Sequence, residues 1–316
     1  MARPARNPAI AMRNGVSPSC VALPETGPVS PWSRVADFLA ERLPAVGRDD
    51  WVDRMTRGEV VDEQGRPVPP EATYRGGQRL YYWRSLPAEP AIPFEAQVLF
   101  RDEHVLVADK PHFLPVTPTG RFVLQSLLVR LKQATGLETL SPIHRIDRET
   151  AGLVVFSVRP QDRGAYQALF RERSVHKVYE AIAAYDPTVV LPRAHQSCMA
   201  EDSQAFYRMT EVDGAPNSET AIHLMERRDA WARYRLVPVT GKRHQLRVHM
   251  AGLGLPLVGD QFYPRVLRGP GEVEDFANPL RLLAQCIAFA DPVTGEARRF
   301  ESRQVLHWPD SQPDQP

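Results

Sequence analysis

Cysteine is scarce. Three residues, Cys20, Cys198 and Cys286, are scattered over 316 positions with no CxxC spacing. That excludes a disulfide framework and a thiolate zinc site, and fits a reducing, cytoplasmic compartment. Charge of one sign is not in excess either. Lys and Arg number 39 against 38 Asp and Glu, a net +1. A uniformly basic coat is therefore absent, although a neutral total is compatible with one basic face. Long apolar runs are missing. The longest, such as GLVVFS over 152–157, fall far short of the roughly 20 residues that span a bilayer, so no membrane helix is expected. No apolar stretch follows the arginines of the N-terminus, which argues against a secretory signal, and no repeat of solenoid period is present.

Proline, in contrast, is abundant at 30 residues, so helices must be short or lie between prolines. Hydrophobic residues at 43% and charged residues at 24% are ordinary globular usage, which excludes full-length disorder and fibrous repeats. The length suits two modest domains, or one large domain with an appendage.

Residues 1–30 carry little periodic apolar content and read as a flexible leader. Its arginines, Arg3, Arg6 and Arg13, could touch a phosphate backbone, but a disordered cationic tail is the simpler reading. Residues 31–86 read as two helices and a small β region. Ser33 is a candidate N-cap for a stripe of Val35, Phe38, Leu39 and Leu43, and Asp49–Thr56 is a second helix. Strands follow at Val60–Val61 and Arg79–Trp83. This stretch resembles the alpha-L RNA-binding motif of ribosomal-protein type, in which Arg48, Arg54, Arg57 and Arg66 would face phosphates. A helical cap that merely supports the main domain accounts for it as well. Prolines mark 87–96 as a linker. The span 97–310 reads as mixed α and β, with 311–316 as a tail. Its strands (two within 98–111, then 152–158, 177–184, 219–226 and 232–239) and helices (124–131, 165–173, 244–253) interleave irregularly. That predicts an α+β fold with a mixed, mostly antiparallel sheet, not a doubly wound one.

Three constellations carry chemistry. The first, PIHRIDRETAGLVVFS over 142–157, crowds polar residues into a loop ahead of an apolar strand, where catalytic side chains tend to sit. Asp147 lies between Arg145 and Arg148 with His144 close by. Cations favour the ionised carboxylate, the form that serves as nucleophile or base. On charge pattern alone, a salt-bridged surface turn is the simpler description. The second, HKVYEA over 176–181, alternates so that Lys177 and Tyr179 share a strand face. A tyrosine beside a cation suits stacking on a base, though a half-buried structural tyrosine is the commoner case. The third, TGKRHQLRVHMAGLG over 240–254, predicts a turn at Gly241 and a helix with Leu246, Met250 and Leu253 on one stripe and Arg243 and Arg247 on another. Residues 225–249 hold seven Lys or Arg against two acids, a footprint for RNA or simply a solvated basic face. His244 and His249 lie five apart, not on one helical face, so no metal site is predicted.

Taken together, these segments resemble the RluA-type family of RNA pseudouridine synthases. HRIDRETAGLVVFS is similar to the family signature, VYEAIA to its tyrosine strand, and TGKRHQLRVHMAGLGLPLVGDQFYP to its third motif. VLFRDEHVLVADKP is similar to its entering hairpin and PLRLLAQCIAFADPVTGEARRF to its closing strand and turn. The resemblance covers residues 97–302 in order and in register. It implies a pseudouridine-synthase fold with a central cleft, an isomerase acting on rRNA or tRNA, and no metal, nucleotide or redox cofactor. It also implies a monomer with no obligatory protein partner. By motif position it makes Asp147 the catalytic aspartate, Arg247 its arginine partner and Tyr179 the tyrosine that packs on the base. It places Arg145 in the space left by a flipped base. Ile146 and Leu283 would be pocket walls, and His144, Lys242, Arg243 and His244 substrate contacts.

Two departures stand out. The loop after Lys110 reads PHFLPVTP where the family more often has Lys-Pro-x-Gly-Leu-x-Val-His-Pro, and Ala151 stands where Ser is frequent. Two other readings remain open at the level of sequence. One is a non-catalytic RNA-binding or ribosome-assembly factor with a relict fold, against which the intact Asp147, Tyr179 and Arg247 argue. The other is an aspartate-based glycoside or nucleoside hydrolase, which would need a second carboxylate, Glu149 or Asp260.

Overall fold

The computed structural model describes residues 7, 9–27, 29–86, 88–267, 269, 272 and 274–309. The expected tail 311–316, Arg3 and Arg6 of the leader, and Pro87 of the linker lie outside them. The chain divides into two compact units. The first takes residues 1–89, 120–124 and 129–138; the second takes 90–119, 125–128 and 139–316.

In the first unit, β1 (Ser19–Ala22), α1 (Val35–Arg42), α2 (Arg48–Thr56), β2 (Val60–Val61) and β3 (Arg79–Tyr82) follow in order. The three strands form one antiparallel sheet, β1-β3-β2. Leu23, Val35, Phe38, Leu39, Trp51, Met55 and Leu80 make its core, as the 3.6-residue spacing of the two helices requires. Helix α1 begins one residue later than expected. Arg34 is the N-cap, and Asp37 accepts both from the Arg34 backbone N–H (3.3 Å) and from the Ser33 hydroxyl (3.2 Å).

The flexible leader requires correction over its described part. Ser19–Ala22 pair with β3, and Ile10, Val16 and Leu23 are buried. Their apolar neighbours (Val61 and Tyr81 for Ile10, Val123 and Val129 for Val16) come from far along the chain, so no local periodicity announces them. The arginines expected to face phosphates have partners within the unit: Arg48 on Asp37, Arg57 on Glu59, Arg66 on Asp62, and Arg54 on the Ser85 carbonyl.

The second unit begins with the hairpin β4 (Gln97–Arg101) and β5 (Val105–Lys110). In chain order come helix α3 (Leu127–Thr135), whose residues 129–135 belong to the first unit, then β6 (Ser141–Pro142), β7 (Ala151–Ser157), α4 (Arg163–Arg171) and β8 (His176–Ala184). Next come β9 (Arg193–Glu201), β10 (Met209–Val212), β11 (Ser218–Arg228), β12 (Trp231–Pro238), α5 (Gln245–Gly252), β13 (Leu282–Ala290) and β14 (Ala297–Glu301). One sheet runs β10-β9-β11-β12-β8-β13-β7-β5-β4, with β14 on β13 and β6 on β7. Every ladder is antiparallel except β13 on β7, so the predicted α+β fold with a mixed, mostly antiparallel sheet is what the chain adopts. Strands β5 and β7 are buried along their whole length; β7, and β5 as far as Ala108, read as continuous apolar runs because both of their faces are covered. The flanking helices bury their apolar stripes on the sheet. Tyr166 of α4 packs with Val107, Leu153 and Ile287, and Leu246 and Met250 of α5 with Ile222, Leu236 and Leu282.

Candidate active site

The segment between β6 and β7 holds Asp147 and is fastened from several sides. The Val155 N–H donates to His144 Nε2 (3.1 Å), and the Thr150 N–H donates to the Asp147 carbonyl (3.2 Å). Lys110 is fully buried at the end of β5 and donates Nζ to the carbonyls of Arg148 and Pro111, both at 3.0 Å. His112, one of the departures from the family pattern, donates Nδ1 to the Glu149 carbonyl (2.7 Å). Arg148 is gripped by Glu274 (2.7 and 3.3 Å) and Glu149 (2.9 Å). Gly152 then lets β7 start. Its φ is +107°, and an added Cβ would lie 2.7–2.8 Å from backbone atoms of Ala284 in β13. Only glycine allows that approach.

The second wall comes from the start of α5. Gln245 braces the turn before it, accepting from the Thr240 hydroxyl (2.6 Å) and the Lys242 N–H (3.1 Å) and donating to the Glu219 carbonyl (2.9 Å). His244, the N-cap, sits in the left-handed region at φ +56°. Its Nδ1 lies 2.9 Å from the Tyr263 hydroxyl, which already accepts from the Met209 N–H. The arrangement that satisfies every group has Tyr263 donating to Nδ1, with the imidazole proton on Nε2. Nε2 is 3.9 Å from Asp147 Oδ2.

Arg247, one turn into α5, is 1% exposed. Its Nε and Nη2 bind the two oxygens of Asp260 at 2.8 and 2.6 Å. Its Nη1 lies 3.4 Å from Asp147 Oδ2 and 3.7 Å from Glu149 Oε2. Burial alone works against a charge on Arg247, but the fork to Asp260 and the nearby Asp147 and Glu149 outweigh it, so its pKa is raised. Burial likewise opposes charge on Glu149, yet Arg148 and Arg247 hold its carboxyl below the usual range. Arg243 and Arg247 share a helical stripe by spacing, but of the two readings of the basic patch a solvated face describes only the first of them. Arg243 is exposed, whereas Arg247 is buried because Asp260, thirteen residues later, supplies a fixed counter-charge.

Between these walls opens a cleft of about 930 Å³. It is lined by His144, Arg145, Ile146, Asp147, Tyr179, Lys242, Arg243, His244 and Arg247, so the structure gathers all but one of the expected site residues. Leu283 is the exception. It packs with Ala151, Ile182 and Leu306, and its neighbour Leu282 lines the cleft instead. Side chains alternate along a strand, so a shift of one position exchanges core for cleft. His144 borders the cleft, but its Nε2 is taken by the Val155 amide and its ring stacks on Phe170 at 4.7 Å. Sequence reasoning did not include the cleft residues Arg171, Arg173 and Lys177 among the substrate contacts. Counted along the lining, eight Lys or Arg side chains face one carboxylate, Asp147. Tyr179 has its phenol pKa raised by burial and by the adjacent Asp147 charge, so the hydroxyl keeps its proton.

Metal-ligating residue types converge elsewhere. Ligand atoms of His195, Glu211 and His249 lie within 4.8 Å of one another. All are already engaged: His195 Nε2 with Glu211 (2.8 Å), and the two His249 nitrogens with Ser197, Ser218 and Thr220 hydroxyls at 3.0–3.1 Å.

The fold and the cleft have known counterparts. Among solved structures, human RNA Pseudouridylate Synthase Domain Containing 1 aligns with a TM-score of 0.55 at 22% identity, over 69% of this chain and 86% of that one. Human RNA Pseudouridylate Synthase Domain Containing 4 aligns at 0.51 and 25%, over 66% and 88%. The architecture is thus that of a pseudouridylate synthase. The family described as RNA pseudouridylate synthase matches residues 104–252. An uncharacterized RNA pseudouridine synthase of Synechocystis sp. is 32% identical over 75% of this chain and 80% of its own. Ribosomal large subunit pseudouridine synthase D of Xanthomonas campestris is 30% identical over 83% and 82%. Dual-specificity RNA pseudouridine synthase RluA of Vibrio cholerae is 32% identical over 62% and 77%. The chain belongs to the RluA-type family of RNA pseudouridine synthases and is an isomerase that converts uridine to pseudouridine in RNA.

Proposed function

We propose that Asp147 is the catalytic residue of this isomerase, that Arg247 and Tyr179 act with it, and that the substrate is a uridine of rRNA or tRNA. The observation that carries the reading is the position of Asp147, the single carboxylate in a cleft lined with cations, on Nη1 of a buried arginine. A uridine stacked inside folded RNA must be everted to reach it. Asp147 acts at ribose C1′, by covalent attack or by assisting a glycal. The C1′–N1 bond breaks, the uracil turns, C1′–C5 forms, and the C5 proton is lost as N1 gains one, so atoms balance without a cofactor.

Each neighbour has a part the geometry supports. Arg247 fixes and compensates the carboxylate. Tyr179, protonated, offers a ring face to the uracil and a hydroxyl for proton handling. Ile146 and Leu282 give apolar walls that let a detached ring rotate without escaping. Arg145, exposed at the rim, fills the gap left by the base, while Lys242 and Arg243 hold phosphates. A second carboxylate for a hydrolase is not free. Glu149 is paired with Arg148, and Asp260 is locked on Arg247. The enzyme works as a cytoplasmic monomer needing no protein partner, with residues 31–86 as an accessory RNA-binding module.

Pure protein incubated with total RNA, followed by mass spectrometry of nucleosides, tests the reading. Asp147→Asn is expected to abolish pseudouridine formation while RNA binding persists and weakens steeply with salt. Normal turnover in that variant defeats the assignment.

A further inference from the structure

The loop between β9 and β10 presents a phenylalanine that the mechanism does not use. Phe206 is 81% exposed, yet its backbone is held in place. Arg243 donates Nη2 to the carbonyls of Phe206 (2.8 Å) and Arg208 (3.0 Å). The Arg208 N–H closes the loop on the Ala205 carbonyl (2.7 Å) and the Asp202 N–H bonds the Arg208 carbonyl (3.2 Å). A lone exposed apolar side chain is unremarkable, but this one ends a row of rings. Phe206 meets Tyr207 edge-on at 5.6 Å, Tyr207 meets Phe262 at 5.6 Å, and Phe262 stacks on His244 at 5.9 Å. His244 is the imidazole beside Asp147. The row therefore runs from His244, in the wall of the cleft, to the exposed Phe206 ring, and the exposed cations Lys242 and Arg243 directly precede His244.

An everted uridine leaves its flanking nucleotides at the rim with at least one base face uncovered. Aromatic rings interleaved with cations are the usual means of holding such bases, because every base has a π-face and the cations take the phosphates. Resting on the reading of the cleft as an RNA site, we propose that Phe206 is a stacking platform for a base flanking the target uridine. Tyr207 and Phe262 keep the platform in line with the cleft. Phe206 touches neither Asp147 nor Arg247, so it acts on substrate capture and not on the chemistry.

Anisotropy with a short fluorescein-labelled uridine-rich RNA, read at several salt concentrations, tests this alongside KM and kcat on total RNA. Phe206→Ala and Phe206→Leu are expected to weaken binding about 5- to 150-fold, the range for one lost base stack, and to raise KM with kcat unchanged. Phe206→Trp is expected to restore wild-type affinity. The slope of log Kd against log salt should stay constant, since no phosphate contact is removed. Equal affinity of Phe206→Ala and wild type, with pseudouridine still formed, overturns the platform alone. So does a leucine that binds as well as phenylalanine. Absence of pseudouridine from the wild-type reaction overturns the underlying reading instead.

Discussion

Arg247 and Asp260 form a two-bond fork, Nε to Oδ2 at 2.8 Å and Nη2 to Oδ1 at 2.6 Å, with both side chains buried. Asp260 Oδ1 also accepts from the N–H groups of Phe262 (2.9 Å) and Tyr263 (3.1 Å). The carboxylate is therefore anchored to the backbone, and the planar guanidinium is anchored to the carboxylate. That leaves Nη1 a single direction, toward Asp147 and Glu149. Lysine in place of Arg247 would keep the charge but lose the fork, and with it this aim.

Asp260→Asn should break the aim without touching the proposed nucleophile. A misplacement on the scale of an ångström costs on the order of 10²-fold in rate, so kcat is expected to fall by about that factor with KM nearly constant. Removing one partner of a buried ion pair also costs about 3–5 kcal/mol of stability, which urea denaturation will register. Asp260→Glu is expected to recover part of kcat. A folded Asp260→Asn enzyme with wild-type kcat rejects the positioning role.

Acid should destabilise the fold through His144. Burial, aided by Lys177, lowers its pKa to about 3, against 6.5 for a free imidazole. Between those values the unfolded chain binds a proton that the folded chain refuses. Stability is thus intact above pH 6.5 and drains as pH falls, by about 1.4 kcal/mol per pH unit for this group. His144→Gln keeps an acceptor for the Val155 amide. Its denaturation midpoints should show a shallower decline toward low pH, and an unchanged slope rules out a neutral buried imidazole.

Much of the fold was legible because periodicity is local. The runs VLVADK and GLVVFS and the stripe on α5 needed no distant partner to be read. The site was harder, for physical reasons that differ by residue. Asp147 and Arg247 are 100 residues apart, so only the family resemblance joined them. Burial of Arg247 depended on Asp260, which local charge pattern could not reveal. Leu282 and Leu283 differ only by strand phase, set by the register of β13 on β7. The strands β9 and β1 lack alternation and took form through pairing. Phe113 stands where the resembled family more often has glycine, and it keeps a glycine-like φ of +67°. Its ring is held among Phe94 and Phe276 at 6.0 and 5.1 Å, a compensation invisible in the loop sequence.

Gly152→Ala should show how little room the start of β7 has. The new methyl would meet the Ala284 backbone at φ +107°, and neither strand can retreat without breaking the ladder between them. Overpacking of this kind costs about 1–3 kcal/mol, with the left-handed backbone adding to it. Because the strained residue lies five positions after Asp147, kcat should fall together with the urea midpoint. An alanine variant equal to wild type in both measurements contradicts the close approach.

Lys110 makes a pH prediction of the same sign as His144, in a higher window. Complete burial lowers its pKa from 10.5 to about 7, although Glu149 and Asp147 pull the other way. Below about pH 7 both folded and unfolded chains carry the proton, and the folded state bears the full cost of a buried ammonium. Between about 7 and 10.5 only the unfolded chain holds it, so this group's contribution to stability rises with pH by about 1.4 kcal/mol per unit. The neutral amine still donates to the Arg148 and Pro111 carbonyls, so the loop carrying Asp147 stays tied as the charge leaves. Lys110→Met removes both the titration and the two donors. Denaturation midpoints of wild type minus variant are expected to climb from neutral toward alkaline pH, while the variant loses activity at every pH because its loop is untied. A difference that stays flat with pH shows that the lysine titrates as a solvated group and that burial does not govern it.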